Sequence, residues 1–240
     1  MDRPGRPRRF AVAMALLTLG ALFAGCSQPR PERLVDGGFE QGMGPWHIIT
    51  GDPNWLQPEI SARLAFVGNQ SLRTHLVPKA TTGLSVIAGA LQQIPATPGA
   101  GIPATLTGHY FVRGWNSTAS KTYVQVVVML YAQNGTQATQ CQGLPNEYPC
   151  QLSFVLGGVS QRPLNAANRR FVFVDTAVPV QGRWNSFSLP VADAFREQWG
   201  AADPPARELR VYLEVRYEKE SVADTHSADV DVYWDDVSWT

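Results

Sequence analysis

Apolar and polar residues alternate with period two along much of the chain, the pattern of a strand with one face in a core. Over 105–113, Leu106, Gly108, Tyr110 and Val112 share one face, and Thr105, Thr107, His109, Phe111 and Arg113 the other. Over 123–131, Val124, Val126, Val128 and Leu130 oppose Tyr123, Gln125, Val127, Met129 and Tyr131. The cleanest case is 209–217, where Leu209, Val211, Leu213, Val215 and Tyr217 oppose Arg210, Tyr212, Glu214 and Arg216. Further strands are predicted over 71–76, 85–94, 171–175, 184–189 and 229–239, and one helix over 191–199.

Asn134-Gly135 and Pro98-Gly99 mark turns between these segments. Many short strands, frequent turns and a single helix predict an all-β fold, a two-sheet β-sandwich. The stretch 132–168 shows no sustained alternation and reads as an elaborated connection within one domain spanning 34–240. No internal repeat is visible.

The first 25 residues follow different rules. Arg3, Arg6, Arg8 and Arg9 precede an uncharged apolar run from Phe10 to Gly25, too short for comfortable membrane spanning. A basic region, a short apolar region and small residues before a cut describe a signal peptide. Leu22-Phe23-Ala24-Gly25-Cys26 resembles the lipobox of bacterial lipoproteins, with Phe23 where that pattern prefers Leu. The resemblance implies that Cys26 is diacylated and becomes the mature N-terminus. Ser27 after it implies the outer membrane, in a cell that has one. Residues 26–33 are polar and proline-bearing and read as a tether. Two or more acyl chains give stable anchoring, so the membrane is the first expected partner.

Twenty basic and twenty acidic residues balance, and no basic patch stands out, so nucleic acid is not an expected partner. With Cys26 set aside for lipid, Cys141 and Cys150 remain, an even pair in an oxidising compartment. A disulfide between them is favoured over two free thiols. A metal site there is disfavoured, because no further Cys or His lies nearby.

Several landmarks along the mature chain resemble the carbohydrate-binding modules of families four and nine, galactose-binding-like jelly rolls. Leu34-Val35-Asp36-Gly37-Gly38-Phe39-Glu40 followed by Trp46 is similar to their opening. Gly68-Asn69-Gln70-Ser71-Leu72-Arg73 is similar to their Gly-x-x-Ser-Leu strand, Gly182-Arg183-Trp184 to their Gly-x-Trp, and Trp234-Asp235-Asp236-Val237 to their last strand. The resemblance implies a jelly roll with Trp46, Trp184 and Trp234 in the core. It also implies a structural Ca²⁺ held by Glu40 and Asp235, with Asp236 as a further candidate ligand. Acidic oxygens of this kind suit Ca²⁺, which takes six to eight of them.

Sugars present hydroxyls to planar polar side chains and C–H faces to aromatic rings. Three polar faces carry such mixtures: Tyr212, Glu214 and Arg216; Tyr123, Gln125 and Tyr131; His109, Phe111 and Arg113. If their strands are neighbours, as in the resembled modules, they form one concave groove, with Trp55 and Trp115 able to overhang its edge. Val127 and Met129 on the same face fit the opposite arrangement, burial under the 132–168 connection. The expected function is non-catalytic binding of a polysaccharide or other glycan. A protein-interaction or envelope-assembly lipoprotein is the alternative. An enzyme is less favoured: Glu218 and Glu220 alternate but lie at a strand end, and the four histidines show no metal-ligand spacing.

Overall fold

Strands form where the alternation lies. The structure, a computed structural model, describes residues 32–50, 56–77, 85–96, 101–118, 121–132, 149–159, 168–199, 206–219, 221, 223 and 225–240. In chain order its elements are β1 (Trp46–Thr50), β2 (Glu59–Ser61), β3 (Ser71–Leu76), β4 (Ser85–Pro95), β5 (Leu106–Ser117) and β6 (Thr122–Ala132). There follow β7 (Cys150–Gly157), β8 (Arg169–Phe173), β9 (Trp184–Leu189), α1 (Val191–Trp199), β10 (Ala206–Glu218) and β11 (Ala228–Trp239).

They make two sheets, ordered β1-β4-β10-β6-β7-β8 and β2-β3-β11-β5-β9. The connectivity defines the fold. Setting aside the edge strands β1, β2 and β8, the first remaining strand (β3) pairs with the last (β11). The second (β4) pairs with the second-last (β10), β5 with β9, and β6 with β7. This is a long hairpin wrapped around a core, the jelly-roll arrangement of an eight-stranded sandwich.

The alternating apolar faces meet between the sheets. Leu106 and Val112 of β5, Val124 and Val126 of β6, Val211, Leu213 and Val215 of β10, and Val230, Val232 and Trp234 of β11 are all fully buried in one cluster. Burying each such side chain is worth about 1.5–3 kcal/mol. The helix adds Val191, Ala194, Phe195 and Trp199 to the same cluster. Trp46 (2% exposed) and Trp234 (0%) sit in this core as expected. Trp184 does not: it is half-buried on the outward face of β9.

The 132–168 stretch is more than a connection, since β7 lies within it as an integral strand between β6 and β8. Every residue of β7 is buried, on both faces. A strand buried on both faces has no reason to alternate, which is why Cys150–Gly157 carries no period-two signal.

Candidate functional site

β6 and β10 are antiparallel neighbours, and their register sets Tyr212 opposite Val127, Glu214 opposite Gln125, and Arg216 opposite Tyr123. The sequence-predicted residues Tyr123, Gln125, Tyr212, Glu214 and Arg216 therefore share the outward face of the larger sheet, with Tyr131 further along opposite Glu208. Two residues that sequence reasoning did not assign to this site join them. Glu218 follows Glu214 and Arg216 at the same strand parity, a signal that could have found it. Arg169 arrives on β8, whose parallel pairing with β7 is not legible in the sequence.

One end of this layer is a closed, charged network. The Tyr123 hydroxyl donates to Glu218 Oε1 at 2.9 Å. Arg216 Nε lies 3.0 Å from the same carboxylate oxygen, and Arg216 Nη1 lies 3.9 Å from Glu214 Oε2. Tyr123 is 0% exposed, Glu214 3% and Arg216 7%. Burial pushes the Glu214 carboxyl above its usual range, against the pull of Arg216 and a Gln125 hydrogen bond. Burial likewise raises the Tyr123 phenol well above its usual value and lowers the Arg169 guanidinium, which Arg216 lowers further. Four polar atoms of this layer have no hydrogen-bond partner of good geometry: Gln125 Oε1, Glu214 Oε2, Arg169 Nε and Arg216 Nε. The Arg216–Glu218 contact is thus an ion pair by distance without an aligned N–H···O bond. Each such buried atom costs about 1–3 kcal/mol if nothing pairs with it.

The other end is more open. The Arg210 guanidinium lies 4.2 Å from the centre of the Tyr131 ring and is paired with Glu208. Tyr131, Met129, Arg210 and Glu208 are half-buried. Tyr212 stands between the two ends, 8% exposed, its phenol pushed up to about 12 by burial against the opposing pull of Arg210.

The expected open groove is therefore corrected in two respects. First, the Tyr123 end is sealed. Val155, Val159, Phe171 and Phe173 pack with Tyr123 into a second apolar cluster on this side of the sheet. Val127 and Met129 on the polar face already signalled such cover. Second, His109, Phe111 and Arg113 do not join the layer. β5 belongs to the other sheet, where Phe111 pairs with Tyr233 and Trp184. β5 and β6 lie in different sheets, so their outward faces point to opposite sides of the sandwich. Trp55, Cys141, Cys26 and Glu220 lie outside the described residues. Trp115 overhangs nothing; its ring lies against Gly158, where an added Cβ would stand 2.6 Å from it.

The three proposed calcium ligands gather at one end of the sandwich, facing backbone amides. Glu40 Oε1 accepts from the N–H groups of Asn69 (2.7 Å) and Gln70 (2.9 Å). Asp235 Oδ2 accepts from Phe66 (2.6 Å) and Val67 (3.1 Å), and its Oδ1 from Asp236 N at 2.7 Å. Asp236 instead reaches toward His109 Nδ1, 3.5 Å away. Among the described residues no three acidic, His or Cys side chains form a metal-sized group. Glu40 Oε1 and both carboxylate oxygens of Asp235 are thus engaged by N–H groups, whereas Ca²⁺ takes six to eight oxygens.

No protein-family model matches this chain, and no curated protein matches it. Solved structures do. It is similar to a family-61 carbohydrate-binding module in complex with β-1,4-galactotriose (10% identity, 88% of this chain and 98% of that one, TM-score 0.44). It is also similar to a structure concerned with promiscuous specificity in carbohydrate-binding modules of the β-sandwich superfamily (12% identity, 85% and 61%, TM-score 0.48). A third is the enzymatically active domain of bacteriophage CBA120 tailspike protein 4 (11% identity, 87% and 21%, TM-score 0.44). The jelly-roll assignment itself stands on strand order.

Proposed function

We propose that this protein binds a polysaccharide or other glycan without catalysis, through the β6–β10 layer, while held to the cell envelope by lipid on Cys26. The observation that carries the reading is the half-buried end of the layer, where the Arg210 guanidinium lies 4.2 Å from the Tyr131 ring beside Tyr212. An aromatic ring beside a planar guanidinium matches the C–H face and the hydroxyls of a sugar. The half-buried Tyr131–Arg210 end is the accessible side of that layer. A Cys141–Cys150 bridge belongs to the same proposal as a brace at the start of β7.

Affinity electrophoresis of the full chain through gels containing xylan, galactan or β-glucan tests it. Retardation by at least one polysaccharide, weakened by Tyr212→Ala and by Arg210→Met, is expected; retardation that neither substitution weakens removes this layer as the site. Palmitate labelling that is lost in Cys26→Ala tests the anchor.

A second reading has a specific observation behind it. The closed end of the layer, buried under Val155, Val159 and Phe171, fits a structural network in an envelope-assembly or protein-interaction lipoprotein. A Glu214→Gln/Arg216→Met double variant that unfolds at clearly lower urea, with no polysaccharide retarding the wild type, would favour it.

A further inference from the structure

We propose that the outward face of the second sheet is a separate sugar-stacking surface, built on Phe66, His109, Phe111 and Trp184. It depends on no part of the β6–β10 reading. Four rings run without a break from the loop before β3 across β5 and β9. Phe66 stacks on His109 with centroids 3.6 Å apart and planes 16° from parallel. Trp184 meets Phe66 edge-on at 5.7 Å and Phe111 at 5.6 Å. Phe111 in turn leans on Tyr233 of β11, which is fully buried and forms the floor.

Phe66 is 43% exposed, yet its backbone is held firmly. Asp235 accepts the amides of Phe66 and Val67, Glu40 those of Asn69 and Gln70, and the Ser71 hydroxyl donates to the Leu64 carbonyl. A mobile loop that left a phenylalanine in water would carry no message. A loop braced by two carboxylates from distant parts of the chain, with its aromatic ring presented outward, is preorganised to receive a ligand.

The polar groups beside the rings fit the same occupant. Arg113 is half-exposed, its Nη1 3.6 Å from Asp231 Oδ2, and has a planar fork free to meet hydroxyls. Arg73 is fixed between Asp231 and Glu59, with Glu59 and Asp229 exposed at the rim. Nucleic-acid bases also stack on such rings, but Glu59, Asp229 and Asp236 would repel phosphates. A neutral pyranose ring meets both requirements, its C–H face on an aromatic ring and its hydroxyls on Arg113 and the rim carboxylates.

The test runs the full chain, Phe66→Ala, Trp184→Leu and Arg113→Ala through the same xylan, galactan and β-glucan gels, with sedimentation velocity on each protein. Phe66 and Arg113 are exposed enough that their truncation leaves the fold intact, as thermal melting would verify. Affinity for at least one polysaccharide should fall about threefold to tenfold in Phe66→Ala and Trp184→Leu, the range expected from losing one stacked ring. A residual retardation, still sensitive to Phe66→Ala, should remain when Tyr212→Ala and Arg210→Met have weakened the other layer. Unchanged affinity in the Phe66 and Trp184 variants, or no retardation of the wild type by any of the three, overturns the proposal. A concentration-dependent dimer that Phe66→Ala abolishes also overturns it, since the face would then belong to a second copy of the chain.

Discussion

Asp235 Oδ2 accepts the amide hydrogen of Phe66 at 2.6 Å, across 169 positions of sequence. With the bonds from Val67 and Asp236, one carboxylate ties the last strand to the loop before β3, while Glu40 ties the N-terminal segment to the same loop. The family resemblance implies a cation near these residues; in the structure their oxygens accept backbone amides. Asp235→Ala should cost about 2 kcal/mol, the net loss of bonds to a charged acceptor, and lower Tm by about 4–8 °C. Asp235→Asn, which keeps one acceptor oxygen, should lose about half as much. Thermal unfolding with and without a chelator should coincide; a lower Tm in chelator would restore calcium to the site.

The resembled opening motif has a steric basis. Gly37 O accepts from Val237 N at 3.0 Å, and a Cβ on Gly37 would fall 1.7 Å from the Val237 carbonyl oxygen. Because that atom is backbone in the last strand, no rotamer change relieves the clash. Gly37→Ala should therefore destabilise by about 3 kcal/mol, the upper part of the overpacking range. Gly44→Ala, whose Cβ would meet only the Gln41 carbonyl at 3.8 Å, should change stability by less than about 1 kcal/mol. Urea unfolding midpoints of the two variants at equal m-value measure the contrast.

Strands with one solvated or polar face were legible, and those without one were not. β3, β9 and α1 match their predicted bounds to the residue, and β5, β6 and β10 place their apolar faces as read. β7 was hidden because both its faces are buried, and β2, at three residues, is too short to show a period. Parity along a strand also showed that Tyr212, Glu214 and Arg216 share one face. Which sheet a strand joins is a property of long-range wrapping, so the separation of His109, Phe111 and Arg113 from Tyr123 was out of reach. The motif places Trp184 in the core, whereas its ring partners Phe66 and Phe111, from distant segments, hold it on the outward face.

Cys150 opens β7 at 1% exposure, paired in register with Leu130 of β6. A bridge from it to Cys141 would close a loop of about ten residues, a constraint worth about 2–3 kcal/mol on chain-entropy grounds. Mature protein denatured without reductant should titrate no free thiol, and Cys141→Ser should unfold at correspondingly lower urea. Two free thiols per chain would count against the bridge.

Glu214 makes stability pH-dependent in a direction opposite to most carboxylates. Burial raises its folded pKa above the ordinary 4.5, with Arg216 only partly offsetting this. The folded state therefore holds the proton more tightly than the unfolded chain. Stability on this account is fully present below pH 4.5 and is lost as pH rises through the raised folded value, by at most about 1.4 kcal/mol per pH unit. Asp235, also raised by burial, adds a contribution of the same sign. The raised phenols of Tyr123 and Tyr212 titrate above this window. In Glu214→Gln the titrating proton is gone while Glu218 stays beside Arg216. Its Tm should accordingly decline less steeply than that of the wild type between pH 4.5 and 7. Melting curves that run parallel across that interval would show that Glu214 is ionised in the folded protein throughout, held so by Arg216 more strongly than burial opposes it.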